Sequence, residues 1–210
     1  RVYAFGDDYR WRRAREPLMA KGVGPGIAFA AELLRRQRHP GIGLVPVALG
    51  GTNLARWRPS LDDGTLYAEM IKRTMAASAM GRVEALLFFQ GESDAQDDSG
   101  DQPHEWAAEF SRFVASVRED LGRPRLPVVF AQIAPNPAAR PLWEVVRSQQ
   151  ASVDLPHVAM IRTDGLTFVD GLHFDTASQQ EIGRRFADAV LSLTKSIESP
   201  PTQQAKTSST

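Results

Sequence analysis

Residues 83–95 read VEALLFFQGESDA, a mainly apolar run that stops at Gln90, a glycine and two acids. Apolar residues on consecutive rather than alternating positions suit a short strand with both faces covered. Helical spacing follows over 103–121, a second apolar run over 128–133, another helix over 141–152 and a short strand over 158–161. Upstream, 66–80 reads as a helix, and 42–49 as a buried strand that runs into Gly50 and Gly51. Before it, GVGPG at 22–26 starts a helix reaching Arg38, with Ile27, Ala30, Ala31 and Leu34 on one face. Residues 2–5 form a short apolar stretch and 7–21 an ordered loop. Thr176 and Gln179 are spaced as a capping box, which begins a last helix ending near Leu193. Strands alternating with helices imply an α/β fold with a mainly parallel sheet between two helix layers.

Composition narrows the partners. The formal net charge is zero and no block of like charge occurs, so neither nucleic acid nor an anionic membrane has an electrostatic hold on the chain. No cysteine is present, which excludes disulfides, thiolate metal sites and a cysteine nucleophile. The histidines have no HxxxH-like spacing, so no metal site is expected, and GxGxG at 22–26 has no strand before it to make a dinucleotide fingerprint; no cofactor is expected. Residues 1–195 are read as one domain and 196–210, rich in Ser, Thr, Pro and Gln, as a disordered tail.

A parallel sheet binds ligands outside the carboxyl ends of its strands, and three unusual loops fall there. In ALGGTNLARW, 48–57, the glycines allow a sharp turn that brings a backbone N–H to a ligand; alone they are only a tight turn. Trp57 beyond them is packing by base rate, or a platform for a sugar ring. In FFQGESDA, 88–95, the Gln90 amide projects at a strand end, where it could donate to a developing oxyanion; Glu92 and Asp94 by themselves cap the next element or face water. In VDGLHFDTASQQ, 169–180, Asp170 and His173 are spaced so that the carboxylate can hold Nδ1 while Nε2 serves as a base.

GVGPGIAFA, GLVPVALGGTNLARW, LLFFQGESDA and DGLHFD, taken in that order, resemble the carbohydrate esterase family 6 and sialate O-acetylesterase-like branch of the SGNH hydrolases. The likeness runs from about Val2 to about Leu193. It implies a three-layer, flavodoxin-like fold and removal of acetyl groups from acetylated carbohydrate, acetylxylan or sialate-type esters among them. It assigns His173 as general base, Asp170 as its orienting acid, and Gly50 and Gln90 as oxyanion donors. Gly51, Glu92 and Trp57 fall to loop shape or substrate contact. The family's GQSN-like block, a first strand leading to the nucleophilic serine, has no counterpart in residues 1–210, and Ser93 is poorly placed to replace it. The expectation is that this block lies outside the sequence. The alternatives are a protein that binds sugar without cleaving it, and a short-chain esterase with no sugar preference. Polymeric substrates would imply secretion.

Overall fold

The computed structural model describes residues 1–19, 21–37, 39–96, 102–135 and 142–198. Strands β1 (Val2–Phe5), β2 (Trp11–Arg13) and β3 (Ile42–Leu44) make one sheet in the order β2-β1-β3. A second sheet, β4-β5-β6, joins β4 (Leu86–Phe89), β5 (Val128–Ala131) and β6 (Val158–Ile161). All pairs are parallel except β1 with β2. The helices are α1 (Gly26–Arg36), α2 (Leu66–Ala77), α3 (Gln102–Asp120), α4 (Trp143–Ala151) and α5 (Thr176–Glu198).

Alternation along the strands explains the unbroken apolar runs. On β5, Val128 and Phe130 face a core shared with Phe110 and Phe113 of α3 and Val146 of α4. Val129 and Ala131 face the opposite core, with Phe29 and Leu33 of α1 and Ile182, Phe186 and Val190 of α5. Both faces are therefore covered, and no position on such a strand can be polar without a partner. Aromatic rings fill the first core, Phe110 lying 4.8 Å from Phe130 and Phe88 5.0 Å from Phe113.

Several elements differ from their expected form. Inside the expected loop at 7–21, Trp11–Arg13 pairs with β1 as a hairpin, because the Trp11 ring packs 5.0 Å from Phe5. Strand β3 ends at Leu44 rather than Leu49, since Pro46 has no N–H for a ladder. Helix α5 starts under an Asp175 cap, whose Oδ1 accepts from Ser178 N at 2.8 Å, instead of a Thr176 box. It continues through Glu198, past the expected limit at Leu193 and into the first residues of the expected tail; Arg38, Pro141 and 199–210 lie outside the described residues.

Helices α1 and α5 touch along Gly183. A Cβ there would stand 2.5 Å from the Pro25 carbonyl oxygen and 2.8 Å from Phe29 N, so the two backbones meet directly. Gly183→Ala is expected to cost about 3 kcal/mol of overpacking against about 1 kcal/mol of regained helix propensity. A lowered urea midpoint with unchanged slope is the expected reading.

Candidate active site

After β3 the chain reaches Gly50 and Gly51. Gly51 has φ of +71°, a conformation that favours glycine, and the turn is closed by Thr52 Oγ1 donating to Leu49 O at 2.8 Å. Among the described residues, none beyond each glycine's chain neighbours has an atom within 4 Å of where a Cβ would stand, so the turn presents bare backbone to the cavity beside it.

The loop after β4 is tied to this turn. Asp94 accepts from Leu54 N at 3.0 Å and from the Gln90 amide, and that amide also donates to Thr52 O at 3.1 Å. Gln90 Oε1 accepts from Trp106 Nε1 at 3.1 Å, which fixes the orientation of the amide. Both amide hydrogens of Gln90 are thus engaged within the protein. The side chain expected as an oxyanion donor is, in this arrangement, a strut between two loops. Burial pushes the Asp94 carboxyl up, while the Gln90 amide and Leu54 N–H pull it down. Asp94→Ala would leave two buried donors without an acceptor and is expected to cost about 2–5 kcal/mol, seen as a lower thermal midpoint.

Glu92 lines the same cavity. Desolvation pushes its carboxyl up and the nearby Asp94 adds to this, against a hydrogen bond from its own backbone N–H and the weaker pull of His173. Trp57 does not face substrate as a platform. It is 6% exposed, packs edge-on against Phe88 and donates through Nε1 to Thr52 Oγ1 at 3.2 Å. Its size suits it to the core beneath the turn, where the indole N–H still has an acceptor.

The third loop carries Asp170 and His173. Asp170 Oδ1 accepts from the backbone N–H groups of Leu172 (3.1 Å) and His173 (2.8 Å), and Oδ2 lies 2.7 Å from His173 Nδ1. One carboxylate therefore shapes the turn and holds the ring. Gly171, with φ of +79°, allows the tight reversal. Phe168 and Phe174 stack at 4.7 Å, and Phe174 lies 6.0 Å from Phe89, anchoring the loop at the end of β4. With Nδ1–H directed to Asp170, the neutral ring keeps its lone pair on Nε2. The backbone N–H of His173, then its ring, then Leu172 N–H hold the Asp170 carboxyl down to about 2 from 3.8. This stabilisation is present above the ordinary carboxylate range and is lost as pH falls through about 2. Asp170 is therefore expected to stay charged, and the turn intact, across any assay at mildly acid pH; nitrogen and carboxyl shifts followed by NMR would show it.

Gly50, Gly51, Gln90, Glu92, Asp170 and His173 all border one cavity. Among the described residues no three His, Cys, Asp or Glu side chains converge as a metal requires, and no helix is long and apolar enough to cross a membrane. The supports that sequence reading missed are Trp106, which points into the core from α3, and Gln150, which donates to Gln90 O at 2.9 Å. A glutamine among the apolar positions of α4 was the available signal.

The family model described as carbohydrate esterase, sialic acid-specific acetylesterase matches residues 1–192. A protein of Arabidopsis thaliana named as a probable carbohydrate esterase is 34% identical over 196 residues, covering 88% of this chain and 72% of the relative. The crystal structure of an Arabidopsis thaliana protein superposes with a TM-score of 0.80 at 33% identity, covering 91% of this chain and 80% of the other. A structure described as a novel carbohydrate acetylesterase from Xanthomonas citri gives a TM-score of 0.72 at 20% identity, over 93% of this chain and 49% of that one, a likeness of fold. The match over residues 1–192, together with a relative sharing a third of its residues, shows that the chain belongs to the carbohydrate esterase, sialic acid-specific acetylesterase family, with an SGNH-like α/β fold.

Proposed function

We propose that this chain is the body of a hydrolase that removes O-acetyl groups from carbohydrates by a serine mechanism. The observation that carries the reading is the Asp170–His173 pair, at 2.7 Å, opening on the cavity bordered by the bare backbone of Gly50 and Gly51. A serine hydroxyl beside Nε2 would attack the acetyl carbonyl carbon as its proton passes to His173. The Gly50 N–H, with the nucleophile's own N–H, would stabilise the tetrahedral oxyanion. His173 then protonates the departing sugar oxygen, leaving an acetyl-serine. Water, deprotonated by the same imidazole, attacks that ester; acetate leaves and the serine recovers its proton. The serine is proposed to lie outside residues 1–210. Gln90 and Asp94 act by holding the glycine turn and the β4 loop together.

Acetate release from acetylated xylan, compared with release from a simple aryl acetate, tests this on the product of the whole gene. A higher kcat/KM on the sugar ester is expected. Preference for the aryl ester would favour a general esterase, and sugar binding without release of acetate from either would favour a binding protein.

A further inference from the structure

Phe168 and Phe174 face each other in an antiparallel bridge. The hydrogen bonds beside it keep the same register, Val169 N donating to His173 O at 2.8 Å and Asp175 N to Thr167 O at 3.1 Å. Val169 therefore stands directly opposite His173, on the two arms of a reversal whose tip is Asp170, Gly171 and Leu172. The stacked Phe168 and Phe174 rings lie toward Phe89 and the sheet. Alternation sends the next pair, Val169 and His173, out of the other face together, with Cβ atoms about 5 Å apart.

The side chains next to the base on that reversal are apolar and open to solvent. Val169 is 75% exposed and Leu172 40%, and Leu172 borders the same cavity as His173. Among the described residues no exposed Phe, Tyr or Trp ring borders that cavity, and Trp57 is buried, so an aromatic platform is not what receives a sugar here.

The direction of proton transfer decides which half of an ester meets Val169 and Leu172. His173 hands its proton to the departing oxygen, so Nε2 comes within about 3 Å of that atom. The acetyl carbon and its oxygen lie across the breaking bond, toward the Gly50 N–H. The alcohol half is thus held over the outward face of the reversal, where Val169 is the cross-strand neighbour of the base. A pyranose ring carries its hydroxyls round the edge and C–H groups on its two faces. Branched aliphatic side chains, which neither donate nor accept, complement a face and not the edge.

We infer that Val169 and Leu172 are contact residues for the alcohol half of the ester, covering a C–H face of the acetylated ring and setting leaving-group selectivity. The inference rests on the hydrolase reading above.

The two half-reactions test it on the whole gene product carrying Val169→Ser with Leu172→Ser. Acylation is read as kcat/KM for a methyl xyloside bearing one acetyl group and for ethyl acetate, whose alcohol is too small to span the two side chains. The ratio of the sugar ester to ethyl acetate is expected to fall about tenfold or more. Hydrolysis of the acetyl-enzyme, followed by mass spectrometry after quenching, should keep its wild-type rate, because the alcohol has already left. Leu172→Met, which stays apolar, should retain most of the wild-type ratio. An unchanged ratio would overturn the inference. So would slower hydrolysis of the acetyl-enzyme or a lower melting temperature, since either would mean that the two side chains hold the loop and His173 in place and do not meet the sugar. A wild-type protein that releases acetate from neither ester would remove the hydrolase reading and this inference together, whereas the other failures leave that reading standing.

Discussion

His173→Ala in the whole gene product is expected to lower kcat/KM for an acetylated sugar by about 10³-fold or more, roughly 4 kcal/mol of transition-state stabilisation. Folding should be almost unaffected, because the side chain is 75% exposed and its ring meets the protein through Asp170. The combination is diagnostic. A large fall in kcat with an unchanged melting temperature belongs to a group that acts on reacting atoms, whereas a packing residue moves both. Asp170→Asn should lower the rate by a similar order, since an amide no longer fixes the proton on Nδ1. Its remaining carbonyl oxygen can still accept the Leu172 and His173 N–H groups that shape the turn. Steady-state kinetics beside thermal melts of wild type and both variants would check this, and a His173→Ala protein with full kcat/KM would remove the imidazole from the mechanism.

Gly91→Ala is expected to have a large effect on folding. The residue has φ of +149°, and a Cβ there would stand 2.7 Å from Gln150 Nε2, 2.9 Å from Ile133 Cγ2 and 3.3 Å from Val146. Overpacking costs about 1–3 kcal/mol and the disallowed backbone about as much again. Gln150 cannot retreat freely. It donates to Gln90 O and accepts from Ile133 N, each at 2.9 Å, so its displacement exposes two more buried groups. A total of about 3 kcal/mol or more is expected, measured by urea unfolding. Whatever folds should also lose activity, because Gln90 and Glu92 flank the position.

The contrast between these two residues shows what was legible in the sequence. Asp170 and His173 stand three apart in one loop, so their pairing followed from local spacing and required nothing distant. The sheet halves were legible for a similar reason: 86–89, 128–131 and 158–161 are continuous apolar runs that only a doubly covered strand tolerates. Gln90 was placed correctly at a strand end, but its partners Thr52, Asp94 and Trp106 come from three segments, and their distance in sequence hid the fact that both amide hydrogens are occupied. Trp57 is packed in the core, as the base rate for a tryptophan has it. Nothing near it in sequence announces Phe88, the ring against which it is buried. Strand β2 escaped notice because three residues are too short for a periodic signal, and Trp11 pairs there through its contact with Phe5. Contacts across the fold, then, decide which polar side chains at a strand end remain available for chemistry.

Covalent labelling tests the central claim most directly: a nucleophile is delivered to His173 from outside residues 1–210. The whole gene product would be treated with a serine-directed fluorophosphonate, and the modified peptide located by mass spectrometry. The expected result is a single adduct on a serine outside residues 1–210, formed about 10²-fold or more slowly in the His173→Ala protein. An adduct on Ser93, or on any other serine of residues 1–210, would contradict it, as would labelling that proceeds at the same rate without the imidazole.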